Sequence, residues 1–356
     1  MSSKVRGLIP IVIVSVLIAA AVAIYYHLIF LHSWYVGGPY LYDTELFNYI
    51  VGPKGQGLRM PSVINMDSFF YVHISPILMP FSFISSALHL QEMAPLEMVL
   101  LLGFSGAAVA AFVAVQYFLR PLGAVLSFGL GAVFALAFAI SGVMRQTADY
   151  PHIEVLYVGP AVIALLLIFH RKFLWAWLAF LLTLIAREDS GLHLACIFSA
   201  YLVLAAIAER KLIPARTWDI APFLFFAIAY PIAVLMAQRH FLPIESNFAR
   251  IYSGVPAYAH LNGELLAERF HTIVNQPAAP LLLLASLVPA LIRPKLVALT
   301  GLLAAAPWFL VSVTALSDAP GTFALYYAFP FLVLAIVPFV VTAELPSTET
   351  AHARQV

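Results

Sequence analysis

Chemistry-bearing side chains are scarce in this chain, and they come in three short groups. Asp43 and Glu45 stand two apart in YDTELFNYI, with Asp67 and His73 further along the same stretch from His32 to His73. Extended, that spacing puts both acids on one side; helical, it parts them by about 200°. Two carboxylates so placed offer an acid–base pair, or else a solvated loop acid and a helix N-cap. The second group, in RQTADYPHIE, carries Asp149, His152 and Glu154 just before an apolar run resumes. Oxygen and imidazole donors of this kind suit a hard or borderline divalent cation. The alternative is that His152 and Glu154 cap the next helix. The third group, Arg187-Glu188-Asp189, lies between two apolar runs with almost no loop. It is either a self-neutralising ion pair or a site in which the planar fork of Arg187 meets a phosphate. Lone histidines such as His27, His89 and His193 read as buried polar contacts or interface residues.

The surrounding chain must hold these groups at a membrane. Of 356 residues, 63% are hydrophobic and only 10% are charged, against about 25% charged in a soluble domain. The expected fold class is an all-α polytopic integral membrane protein. One cysteine, Cys196, excludes a disulfide framework and a cysteine zinc cluster. No basic run or RNA-binding signature points to nucleic acid. Residues 7–31 follow Lys4 and Arg6, exceed a signal peptide's apolar core and lack a small-residue cleavage site, so they read as an uncleaved first span.

Ten spans are predicted: 7–31, 97–119, 122–143, 154–169, 173–186, 191–208, 218–238, 278–292, 296–316 and 323–342. The domain plan is a single unit over 1–342. A long first outer loop occupies 32–96, spans two to seven 97–238, a second outer loop 239–277, and the last three spans 278–342. A polar tail, 343–356, reads as disordered and cytoplasmic. The apolar stretch 74–90, with Pro76 and Pro80, is taken as interfacial or re-entrant. With that choice eleven of the eighteen cations fall on the cytoplasmic side, including every tight basic turn, as the positive-inside rule requires. The acidic and histidine-bearing segments then share the outer face. The N-terminus is placed in the cytoplasm, the membrane is taken as the inner (plasma) membrane, and the working face is extracytoplasmic.

The succession YDTELFNYI, HISPILMP, ADYPHIEV and REDS resembles the motif order of the family called domain of unknown function 2079. That family lies within the GT-C superfamily of membrane glycosyltransferases. The resemblance covers about residues 35–195, with a weaker echo in YYAFPFLVLA. It departs at the family's D-F-H-P-E, which here has His and Pro exchanged and one residue added, and at K-E-D, where Arg187 replaces Lys. The resemblance implies a GT-C-like fold. It also implies transfer of a sugar from a polyprenyl-phosphate carrier to a glycan, lipid or protein acceptor on the outer face. Asp43, supported by Glu45, would act as general base on the acceptor hydroxyl or orient it. Arg145, Arg187, Arg239 and Arg250 become candidates for the donor phosphate. Asp149, His152 and Glu188 become ligands for a divalent cation such as Mg or Mn, with His73, Glu154 and Asp189 in support. Helix 74–90 and the 240–275 loop would form the lipid groove.

Two other readings fit the same residues. One is a transporter or flippase of a lipid-linked or anionic solute; the other is a non-catalytic GT-C-like scaffold. A transporter places ionisable groups mid-span on broken helices, whereas here they gather at span ends.

Overall fold

The computed structural model describes residues 3–36, 41–55, 58–61, 68–71, 73–150, 152–241 and 248–343, leaving aside the side chains of 3–8, 41–43 and 71. Among these residues every named element is helical. In chain order they are α1 (Ser3–Val36), α2 (Leu41–Val51), α3 (Leu78–Ala87), α4 (Ala94–Leu119), α5 (Ala124–Ala139), α6 (Gly142–Asp149), α7 (Val155–Phe169) and α8 (Phe173–Leu184). Then come α9 (Ser190–Glu209), α10 (Thr217–Phe241), α11 (Gly263–Asn275), α12 (Ala278–Ala285), α13 (Val288–Ile292), α14 (Thr300–Val313), α15 (Asp318–Gly321) and α16 (Phe329–Thr342).

Six helical stretches are long and apolar enough to cross a bilayer, and eight if each of two bent pairs is one span. Six to eight of the ten expected crossings are thus supported by length and apolarity. The first bent pair, α5 with α6, turns by 41° where Ser141 leaves helical geometry and its hydroxyl accepts the Met144 N–H. The second, α11 with α12–α13, turns by 64° at Pro277, whose ring disfavours helix at Gln276. The two other predicted spans are α7 and α8, of 15 and 12 residues. At 1.5 Å per residue they reach about 22 and 18 Å, short of a hydrocarbon core about 30 Å thick. They form a hairpin turning at Arg171, whose φ is +55°. The sidedness of the other helices is the same whether that hairpin crosses or only enters. The α3 helix has ten residues and is too short to cross.

Close helix approach comes from small residues, as expected where lipid gives helices no hydrophobic reason to associate. A Cβ on Gly191 of α9 would collide with the Ala227 carbonyl of α10, and one on Gly301 of α14 with the Leu334 carbonyl of α16. These contacts bring together the four helices that enclose the cavity described below. The α4 helix is buried along most of its length and packs against α1, α5 and α7.

The bundle has two chemically distinct ends. At one, cations meet helix C-termini. Arg216 donates to the Phe169 carbonyl (3.0 Å), and Arg293 donates to the Thr342 (2.9 Å) and Phe118 (2.8 Å) carbonyls. Arg171 pairs with Asp219 at 2.9 Å. These contacts satisfy the unpaired last-turn carbonyls of α7, α16 and α4 and complement their dipoles. At the other end, Glu154 and Asp189 stand at the N-cap positions of α7 and α9, where helix dipoles favour negative charge.

Candidate functional site

The acidic end is assembled by one tight turn. Between α8 and α9 the chain has only Ile185 to Asp189, so Arg187, Glu188 and Asp189 emerge among packed helices. Arg187 donates to Glu154 across α7 at 2.7 Å, and its Nε lies 3.1 Å from Asp189 and 3.8 Å from Glu188. Glu154 also pairs with His152. The His152 ring stacks flat on Tyr326, with centroids 3.9 Å apart, and takes the edge of Phe47 at 4.4 Å.

The first-loop segment docks onto this turn. Glu188 accepts His73 Nδ1–H at 2.7 Å and the Ile74 backbone N–H at 3.0 Å. Ile77 N–H donates to the Ile185 carbonyl at 3.1 Å. The sequence H-I-S-P suits this: Pro76 keeps Ser75 extended, and α3 starts immediately after.

Burial and charge oppose one another here. Burial pushes Glu154 up, but His152 and Arg187 outweigh it and hold the carboxyl at about 2. Glu188 is likewise lowered against its burial by His73 and Arg187, whereas burial prevails at Asp189 and raises it. Burial would release the proton of Arg187, yet its three carboxylates hold it well above the ordinary value. Burial pulls His152 down.

A cavity of about 1030 Å³ opens beneath it, between α9, α10, α14 and α16. Its polar end is walled by His73, Arg187, Glu188 and Asp189, with Arg239 and Gln238 of α10 beside them. From there the lining follows one face of α9 through Cys196 and Ala200 to Val203, meeting Leu303, Pro307 and Leu334 from α14 and α16. Asp189 to Val203 is fourteen residues, about 21 Å of helix.

The predicted site residues divide accordingly. His73, His152, Glu154, Arg187, Glu188 and Asp189 gather in one cluster, and Arg239 lines its cavity. Arg145 and Asp149 do not join it: they form an exposed i,i+4 pair at 2.9 Å, with Arg145 also on the Tyr25 hydroxyl. Arg250 is exposed and is not part of the cavity lining. Glu45 is exposed on α2. Asp43 lies in the first turn of α2, four residues before the Phe47 that touches His152, and its side chain is outside the described residues. Because α2 is helical, positions 43 and 45 stand about 200° apart around its axis rather than on one face. Asp67 also lies outside the described residues.

The expected cation set does not converge, since Asp149 pairs with Arg145, His152 with Glu154 and Glu188 with His73. Among the described residues no group of three or more His, Cys, Asp or Glu side chains is placed to hold a metal. The cavity runs between the later helices rather than along 74–90, where α3 packs on α2 and α4, and Phe248, Ile251 and Tyr252 of the 240–275 loop line it. Tyr157, His193, Tyr252 and Trp308 are site residues that the motifs do not reveal, whereas Tyr326 opens YYAFPFLVLA. Only His193 had a signal: it stands four residues after Asp189, on the same helix face. Comparison with protein-family models, with curated proteins and with solved structures finds no match for this chain.

Proposed function

We propose that this protein is a membrane-embedded glycosyltransferase that moves a sugar from a polyprenyl-phosphate carrier to an acceptor hydroxyl. The reading rests chiefly on the cavity, whose charged residues lie at one end while its remainder is a largely apolar groove about 20 Å long. That shape suits an amphiphile with a polar head and a long hydrocarbon tail. A GT-C-like body would supply it, with the basic end in the cytoplasm and the acidic end extracytoplasmic, following the positive-inside rule.

In this scheme the acceptor oxygen attacks the anomeric carbon, and the bond from that carbon to the phosphate oxygen breaks. The prenyl phosphate leaves with the electron pair, and the acceptor proton passes to a carboxylate. Asp43 remains the proposed base, carried on the helix that packs against His152. Glu188 and Asp189 face the cavity and can accept sugar hydroxyl protons. Arg187 donates to Glu154 and stands beside Asp189 and Glu188, though its Nε has no hydrogen-bond partner among the described residues, and in this scheme it serves to hold the turn. No step is assigned to a metal.

A transporter would need charge near the middle of the groove, and the charged lining residues stand instead at its end. The test is transfer from a radiolabelled prenyl-phosphate sugar by the purified protein in nanodiscs, with total membrane extract as acceptor. Wild type should release prenyl phosphate and label the acceptor, and Asp43→Asn should do neither. Equal transfer by both would remove Asp43 from the mechanism. Labelled solute crossing a proteoliposome without release of prenyl phosphate would favour the transporter.

A further inference from the structure

We infer that the donor's phosphate sits one helical turn inside the acidic cluster, at a subsite formed by His193, Tyr157 and Trp308. This rests on the prenyl-phosphate reading above and names the residues that hold the phosphate. His193 and Tyr157 are buried, at 7% and 1% exposure, and both line the cavity with Trp308. The His193 ring is the hub, with centroids 4.7 Å from Trp308, 5.8 Å from Tyr157 and 5.4 Å from Phe329. His193 Nε2, Tyr157 Oη and Trp308 Nε1 are all buried, and none has a hydrogen-bond partner among the described residues. A buried polar group without a partner is costly and calls for a ligand.

The chemistry of the three atoms identifies that ligand. Indole N–H can only donate, and phenol and imidazole can both donate. Together they suit a group rich in acceptors and poor in donors. A phosphodiester, with two non-bridging oxygens and no proton of its own, meets that description; a sugar ring brings hydroxyl donors of its own and is better served by carboxylates. Charge gives the same assignment. The outer cluster gathers three carboxylates around its one guanidinium and is a poor seat for an anion, whereas the subsite is built of N–H and O–H donors. Geometry gives the order along α9. Asp189, His193, Cys196, Ala200 and Val203 share one helix face. A donor threaded tail-first lays hydrocarbon along Cys196 to Val203, phosphate at His193 and sugar at Glu188 and Asp189. The step from Asp189 to His193 is about 6 Å along the axis, close to the offset between a sugar ring and its phosphate. Arg239, exposed at the mouth, would attract the anion during entry without being its resting partner.

The experiment uses the full-length protein in nanodiscs with [³H]geranyl phosphate, displaced by unlabelled geranyl phosphate or geraniol. Wild type should prefer the phosphate over the alcohol. His193→Ala, Tyr157→Phe and Trp308→Phe should each weaken geranyl phosphate about tenfold, the order of one charge-assisted hydrogen bond. Affinity for geraniol should stay unchanged, which also reports that the groove is folded, and His193→Gln, which retains a donor, should recover part of the loss. If the three variants keep the wild-type preference while Arg239→Gln abolishes it, the phosphate rests at the mouth and the inference is overturned. If wild type binds geraniol and geranyl phosphate equally, the subsite reading fails while a lipid-binding groove survives. If it binds neither, the prenyl-phosphate reading itself falls.

Discussion

Replacing Glu188 by Gln tests the contact that joins the first loop to the later helices. The carboxylate holds two donors, His73 Nδ1–H at 2.7 Å and Ile74 N–H at 3.0 Å. Glutamine keeps the shape and one acceptor oxygen, but its amide turns a donor toward the second partner. One bond is lost and the other loses its charge assistance. Hydrogen bonds to a charged group contribute about 1.5–3 kcal/mol each, so the local loss is about 2–3 kcal/mol. The Ile77–Ile185 backbone bond remains, which confines the opening to the segment ahead of α3. Exchange of the Ile74 amide scales with the population of the open form. At about 1.4 kcal/mol per decade it should accelerate roughly 30- to 150-fold. The assay is hydrogen–deuterium exchange with mass spectrometry in nanodiscs, comparing peptides across 73–77 with an interior α4 peptide as control. Acceleration below threefold at 73–77, or an equal acceleration in α4, would show that Glu188 does not clamp this loop.

Three further outcomes follow from the same geometry. Glu154→Ala removes the 2.7 Å partner of a buried Arg187, which keeps Asp189 and Glu188 as counter-ions, and should lower stability by about 1.5–3 kcal/mol, read as a loss of melting temperature; an unchanged melting temperature would show that this pair does not hold the turn. The depressed Glu154 carboxyl adds stability that is complete above the ordinary value of 4.5 and lost as pH falls toward about 2. The acid limb of a melting-versus-pH curve should therefore flatten in Glu154→Gln over that range, and an unchanged limb would remove Glu154 as its source. Reporter fusions at Arg120 and Arg171 should share one side of the membrane, and a fusion at Thr147 should report the other; a common side for all three would contradict the two-ended bundle.

Segregation of charge to the bundle's ends was legible in residue order alone. Basic turns are short and acidic segments are adjacent to apolar runs, and the cost of charge in hydrocarbon leaves few other arrangements. That is why Arg216 and Arg293 cap helix C-termini at one end while REDS and PHIE meet at the other. The span count was less legible. Composition registers an apolar run, but whether α7 and α8 reach across depends on helix length after Asp189, Glu154 and the Arg171 turn have trimmed them.

The motif residues themselves announced a site, since Arg187, Glu188, Asp189, His152 and Glu154 are polar where the chain is otherwise apolar. Their partners were not announced. Arg187 read equally as an ion pair or a phosphate ligand, because sequence cannot show that Glu154, 33 positions earlier, is the partner its guanidinium meets. Asp149 looked like a metal ligand because it is close to His152 in sequence, yet α6 directs it to Arg145. Tyr157 and Trp308 lie in no motif, since an aromatic among apolar residues carries no mark of the cavity it faces. Local order determines which groups must avoid lipid and which helix faces they share. Only the packing of α9 against α10, α14 and α16 decides which of those groups are satisfied by one another and which are left to meet a ligand. Satisfaction of a buried charge or donor is a property of distances across the fold, and a linear chain does not specify those one residue at a time.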